Sequence, residues 1–525
     1  MPRQLTRIPS SRTFITLLAC AVVFLLFVWQ GRKGYNMGDE GFLWYGVQRV
    51  LAGEVPLRDF MAYDPGRYYW SAALLSLWGQ EGIMQLRAVV AIFQAVGLAV
   101  ALCLLDQANP GTSPARRLAF LLTSALILVL WMFPRHKLFD ISLSIFLVGM
   151  LAAVIRQPDT KRYLLLGLGV GLTAFFGRNH GLYGAFGSAL AIAWLHLGPR
   201  RTPHPTLMRA CTAWLGGVVL GFMPLLLMLA LVPGFAASFW ESIRFLFEHK
   251  ATNITLPIPW PWRASFGLYP WHTVGWQMLM GLFFMALPLF GVIGLAWGFF
   301  RRLQGRPVDP VLMAAILMAL PYAHYAYSRA DIGHLALGIF PFLIGMLVMA
   351  ARSTARTGAV ATLILAVTST CLMFPEHPGW QCRIAAPCVN LEISGSPLRI
   401  DPNTAASVNL LRNLDQRYAS HGESFLATPL MPGAYPLLAR KAPVWAIYAL
   451  FARGPAFEQQ EIDRLKAASP AFLLVMDAAL DGRDELRFRN THPRVQRYIE
   501  QNYTAVPDST MAGIQIYRPR QTEKP

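Results

Sequence analysis

Charge is scarce in this chain. Of its 525 residues only 14% are Asp, Glu, Lys or Arg, while 55% are hydrophobic, which excludes a soluble protein of this size. Acidic residues are the scarcest charge, with 28 Asp and Glu against 46 Lys and Arg and a formal net charge of +18. Such a surplus can mark a nucleic-acid partner. Here the arginines fall in short loops between apolar runs, the distribution of a polytopic membrane protein, so no nucleic acid is expected. There are only six cysteines. Cys20, Cys103, Cys211 and Cys371 lie in or beside apolar runs, where a thiol packs as a small hydrophobe. Cys382 and Cys388 stand apart; an oxidising compartment would allow them to pair, and no second Cys or His pair completes a zinc set. A Gly-rich phosphate loop, a His-Glu zinc helix and a nucleophilic Ser elbow are all lacking. So is an internal repeat, which counts against a secondary transporter, as does the gathering of charges at one face.

Long apolar runs, by contrast, are plentiful. They span roughly 13–30, 83–105, 117–134, 140–155, 163–177, 181–197, 210–232, 273–299, 311–327, 334–350 and 357–374. Crossing ~30 Å of hydrocarbon takes ~20 residues, so about 11 transmembrane helices are expected, some of them tilted. No small-residue cleavage site follows the first run, which reads as an anchor. Every second connection is basic: Arg3, Arg7 and Arg12; Arg116 and Arg117; Arg156, Lys161 and Arg162; Arg200, Arg201 and Arg209; Arg301, Arg302 and Arg306; Arg352 and Arg356. The positive-inside rule then places the N-terminus in the cytoplasm and everything after the last crossing outside.

The first outer loop opens with Gly38-Asp39-Glu40-Gly41, where the first helix leaves the bilayer. Carboxylates are costly there unless they serve a polar cavity or a partner. Two readings fit: an acidic catalytic site, or an Asp capping the next helix. The run Gly41–Leu51 is amphipathic and suits a helix lying on the membrane surface. Further on come Arg58-Asp59 and Tyr63-Asp64-Pro65-Gly66-Arg67-Tyr68-Tyr69-Trp70, where Pro-Gly breaks the helix and the aromatics suit headgroups.

Three shorter outer loops each carry a cation beside a histidine: Arg135-His136-Lys137 with Asp140 following, Arg178-Asn179-His180, and Arg329 to His334. Cations on this side oppose the orientation rule. They suit a phosphate, to which Arg offers bidentate hydrogen bonds and Lys a point charge; taken singly, each also fits snorkelling to headgroups. One longer outer loop, about 233–271, holds Lys250 and then Pro257-Ile258-Pro259-Trp260-Pro261-Trp262, which fits a lid over a lipid tail as well as an aromatic belt.

From Pro375 the composition becomes that of a soluble domain, dividing the chain into 1–374 and 375–525. Helices are expected near 405–417, 459–468 and 493–502, and strands near 424–428, 471–477 and 513–517, a small extracytoplasmic α/β unit.

In layout the chain resembles the GT-C glycosyltransferases, closest to the branch of protein O-mannosyltransferases and the lipid A aminoarabinose transferase. The likeness rests on Asp39-Glu40 after the first helix, Leu51-Ala52-Gly53 after the surface helix, Asp64-Pro65-Gly66-Arg67-Tyr68-Tyr69-Trp70, and Asp140 in the next outer loop. It covers the first ~200 residues by motif order and the rest by topology. The family's Lys-Gly after the fifth helix is replaced by Arg178-Asn179-His180-Gly181. The resemblance implies transfer of a sugar from a polyprenyl-phosphate donor to a glycan, lipid or protein hydroxyl at the outer face of the plasma (inner) membrane. It makes Asp39 the base and gives Glu40 and Asp140 the acceptor or a divalent cation. Phosphate contacts would come from Arg135, Lys137, Arg178, His180, Arg329 and His334. Asp64, Arg67, Tyr68, Trp260 and Trp262 would meet acceptor or lipid. A lipid-linked oligosaccharide ligase or polymerase is the nearest alternative, and a transporter a more distant one.

Overall fold

The computed structural model describes residues 11–109, 112–197, 205–249, 253–380, 382, 387–507 and 513–520. Arg3, Arg7, Arg200, Arg201 and Lys250 lie outside them. In chain order the helices are α1 (Ser11–Gln30), α2 (Asp39–Leu51), α3 (Gly66–Trp78), α4 (Ile83–Ala108), α5 (Pro114–Trp131), α6 (Leu138–Arg156), α7 (Thr160–Phe176), α8 (Arg178–His196), α9 (Leu207–Leu231), α10 (Phe235–His249), α11 (Trp271–Leu303), α12 (Pro310–Ser328), α13 (Ile332–Gly338), α14 (Phe340–Arg352) and α15 (Ala355–Met373). Two compact units emerge. One joins residues 1–31 to 87–380, and the other joins 32–86 to 381–525. The first outer loop, which the sequence reading kept with the membrane part, therefore clusters with the C-terminal segment.

In the first unit each of the eleven apolar runs falls on a helix, with α13 and α14 sharing one run across a 60° bend. Among the described residues eight helices are long and apolar enough to cross a membrane, or nine counting the bent pair, fewer than the eleven expected. The difference lies in α7, with 17 residues, and α8, whose first turn is Arg178-Asn179-His180. The protein is a multi-pass membrane protein. Helices α6 and α12 are central, with 78% of their apolar stretch buried, against 22% for α1 and α9. Leu17, Phe24 and Leu25 of α1 and Leu227 and Leu231 of α9 accordingly remain exposed, as hydrocarbon-facing side chains should. Helices α7 and α9 cross through Gly167, Gly171, Gly217 and Gly221; a Cβ at any of the four would overlap backbone of the facing helix. Lipid supplies no hydrophobic drive between helices, so such close backbone approach is what holds them.

The second unit carries β1 (Val389–Ile393), β2 (Ser396–Ile400), α16 (Pro402–Tyr418), β3 (Phe425–Thr428), α17 (Ala434–Leu437), α18 (Pro455–Ala468), β4 (Phe472–Met476), α19 (Phe488–Thr491), α20 (Pro493–Asn502), β5 (Tyr503–Val506) and β6 (Ile514–Pro519). The expected α/β character holds. β3, β4, β6 and β5 form a sheet in that order, parallel between β3 and β4 and antiparallel elsewhere. Leu426, Leu473 and Val475 pack with Leu465 of α18 and Ile499 of α20. Strand β5 and the hairpin of β1 with β2 are additions to the expected elements. Cys382 and Cys388 are disulfide-bonded.

Candidate active site

In the second unit α2 opens at Asp39. The structure overturns the capping reading of this residue. Asn36 Oδ1 accepts the Asp39 N–H at 2.8 Å, and Glu40 Oε2 reaches back to the Asn36 N–H at 3.5 Å. Gly38 stands at the N-cap of α2 and makes no side-chain cap bond, and Asn36 and Glu40 take the donors around the helix start. The Asp39 carboxylate turns elsewhere: its Oδ1 accepts from the Tyr448 hydroxyl at 2.9 Å. Asp39 stays partly exposed, whereas Glu40 is buried. Residues 40–47 of α2 are all buried, so both faces of this helix meet protein. Gly41 packs so closely on Gly433 that a Cβ would overlap its backbone, and Tyr45 Oη accepts from the Ala442 N–H at 3.1 Å.

Tyr448 owes its place to the α/β core. The Glu461 carboxylate of α18 accepts the N–H groups of Trp445 and Ala446 at 3.0 and 3.1 Å, fixing that loop. Burial pushes the Glu461 carboxyl above its ordinary range, against the opposing charge of Arg464. Trp445 then grips the first outer loop, donating from Nε1 to Leu57 O while its carbonyl accepts from Met61 N. The Tyr448 ring packs on Phe42, which meets Tyr63 edge-on. Of the remaining expected residues in this unit, Arg67 lies over the Tyr63 ring at 4.7 Å, and Asp64 and Arg67 are both buried. Tyr68 is wholly buried, with its hydroxyl accepting from Tyr63 N at 3.0 Å, so it supports the loop from within.

In the first unit the outer-loop residues form a second cluster. Asp140, in the first turn of α6, and His180, in the first turn of α8, are both buried, with Nε2 and Oδ1 2.9 Å apart. His180 Nδ1 lies 2.7 Å from the Tyr322 hydroxyl, and the Tyr325 hydroxyl donates to Asp140 Oδ1 at 3.2 Å. The Tyr325 ring in turn meets His334 edge-on. Asp331 caps α13 through the His334 N–H, binds His334 Nδ1 at 2.9 Å and pairs with Arg329 at 2.8 Å. Burial pushes the Asp331 carboxyl up, but His334 and Arg329 outweigh it and hold the group below its ordinary range. Asp140, His180, Arg329 and His334 are thus gathered, with Tyr322, Tyr325 and Asp331 as members that the sequence reading missed.

The other expected cations are directed differently. Arg178 donates to Ser242 Oγ of α10 at 2.7 Å and lies over Phe239. Arg135 donates to Gln30 O at 3.1 Å, and Lys137 ends the same short turn. Trp260 and Trp262 stack in parallel, centroids 5.4 Å apart, in a loop seated on α11 at Gly281. Among the described residues no three His, Cys, Asp or Glu side chains converge.

No protein-family profile and no curated protein matches the sequence. Solved structures do. ArnT from Cupriavidus metallidurans bound to undecaprenyl phosphate aligns with a TM-score of 0.50 at 12% identity, over 97% of this chain and 98% of that one. The apo state of ArnT aligns with the same TM-score at 13% identity and the same coverage. The oligosaccharyltransferase of Archaeoglobus fulgidus in its apo form aligns at 0.46 and 11% identity, over 98% of this chain and 75% of that one. The fold of this chain is that of ArnT.

Proposed function

We propose that the protein is an integral-membrane glycosyltransferase that moves a sugar from a polyprenyl-phosphate donor to an acceptor hydroxyl. The observation that carries the reading is the Asp39 carboxylate, placed at the start of α2 in a chain of GT-C fold. It is partly exposed, relieved of capping by Asn36, and oriented by Tyr448. A carboxylate so held suits a general base. The acceptor oxygen forms its bond to the anomeric carbon as its proton passes to Asp39. The bond from that carbon to the donor phosphate breaks, and its electron pair leaves with the polyprenyl phosphate. Cations lower the barrier where that negative charge develops, a role we assign to Arg329 and His334, with Arg178, Arg135 and Lys137 as further candidates. His180 and Asp140 are buried against each other and position α6, α8 and α12. The stacked Trp260 and Trp262 are assigned to the lipid tail.

The basic loops support an inside N-terminus, with Asp39 and the α/β unit on the outer side of the plasma membrane. A topology reporter fused after Arg417 is expected to be active only outside; activity only in the cytoplasm would reverse the assignment. The direct test of the reaction is radiolabelled sugar transfer by purified protein with a panel of polyprenyl-phosphate donors.

A further inference from the structure

A groove of about 1110 Å³ runs between α11, α12 and α14, apart from every residue assigned above. Its walls are apolar, with Leu289, Ile293 and Trp297 on α11 and Phe342, Met346 and Met349 on α14. Leu289 and Ile293 are 47% and 62% exposed, so the groove opens sideways toward hydrocarbon. From Ala286 to Arg301 it follows α11 for roughly 22 Å at 1.5 Å per residue, enough for an extended acyl chain of one leaflet.

One end is charged. Arg301 and Arg352 line it with a single acid, Asp309. That carboxylate is already committed: Oδ1 caps α12 through Val311 N and Leu312 N, and Oδ2 pairs with Arg352. Arg301 donates from Nη2 to Pro307 O at 3.0 Å and lies over Trp297 at 5.7 Å. Its Nε–H is buried and has no acceptor among the described residues. A buried donor left unpaired is costly, more so on a cation. The rim therefore carries one positive charge in excess and an unmet donor, both above an apolar trough that lies on the side of the basic loops.

We propose that this groove binds one anionic phospholipid, its acyl chain along Ile293 and Met346 and its phosphate on Arg301 and Arg352. The inference is independent of the glycosyltransferase reading. It is tested on the purified full chain in neutral detergent, titrated with phosphatidylglycerol or phosphatidylcholine carrying brominated chains, with tryptophan quenching as the readout and native mass spectrometry counting retained lipid. One phosphatidylglycerol per chain is expected, with a saturable, phosphatidylglycerol-specific part of the quenching that is absent in Trp297→Phe. Arg301→Gln should weaken phosphatidylglycerol about tenfold, the usual scale for one lost charge-assisted bond, and leave phosphatidylcholine unchanged. Ile293→Trp, which fills the trough and keeps the rim, should abolish the tight site; melting temperatures without lipid confirm that both variants fold. Equal quenching by the two lipids would show annular lipid only and overturn the proposal. Selective binding that Arg301→Gln or Ile293→Trp leaves intact would overturn it too.

Discussion

Tyr448→Phe deletes one hydroxyl and keeps a ring. The hydroxyl donates to Asp39 Oδ1 at 2.9 Å, while the ring packs on Phe42 with centroids 5.6 Å apart. The substitution therefore removes the hold on the proposed base and leaves the local packing in place. A hydrogen bond to a charged group contributes about 1.5–3 kcal/mol, and every ~1.4 kcal/mol is a factor of ten. If that interaction keeps Asp39 aimed at the acceptor, kcat for sugar transfer should fall about 10- to 100-fold, with KM for the donor little changed. The hydroxyl is only partly buried, so the melting temperature should stay near that of the native chain. The assay is steady-state transfer by purified variants, run as a double-mutant cycle with Asp39→Asn. On the Asp39→Asn background Tyr448→Phe should cost little more, because the group it orients no longer acts. Native kcat in Tyr448→Phe would refute the reasoning, and so would an equal loss on both backgrounds.

Two further expectations concern other parts of the chain. Burial, helped by the charge of Arg453, pushes His492 down from 6.5 to about 4, and its imidazole stacks on Phe488. The folded value lies below the unfolded one, so this group's stabilisation is present above pH ~6.5 and is lost as pH falls toward 4, by up to ~3 kcal/mol; thermal melts should show that slope in the native chain and a flatter one in His492→Leu, and identical slopes would contradict it. Arg329→Ala should weaken donor use by ~1–3 kcal/mol, the scale of a lost charge-assisted bond; unchanged kinetics with short-chain donors would remove Arg329 from the phosphate site.

The helices of the membrane unit were legible because hydrophobic length is a strong local signal: each apolar run became a helix, and eight or nine of the described spans are long and apolar enough to cross a membrane. The main strands and helices of the α/β unit were legible for a similar reason, since β4 is a short, wholly apolar run and β3 an apolar run closed by Thr428, each between helical periods. The hairpin of β1 and β2 had a signal that went unused. Ser394 and Gly395 both take positive φ in a two-residue turn, flanked by the alternating Leu391 and Ile393, Leu398 and Ile400. At the candidate site the sequence pointed to Asp39 but could not separate base from cap. That choice depends on Asn36 three residues earlier and on Tyr448, 409 residues away. No local pattern announces a partner at that distance. The same holds for Tyr322 and Tyr325, which read as ordinary aromatics of an apolar run until α12 folds them against His180 and Asp140.

The central claim is that Asp39 takes the proton of the acceptor. It is tested most directly by measuring radiolabelled sugar transfer from a polyprenyl-phosphate donor by native protein and by Asp39→Asn, each purified and shown to be folded. Asn keeps the shape of the side chain and an oxygen for Tyr448, so insertion and melting temperature should not change. Transfer should fall by ~100-fold or more, the usual scale for loss of a general base. Near-native transfer by Asp39→Asn would contradict the account.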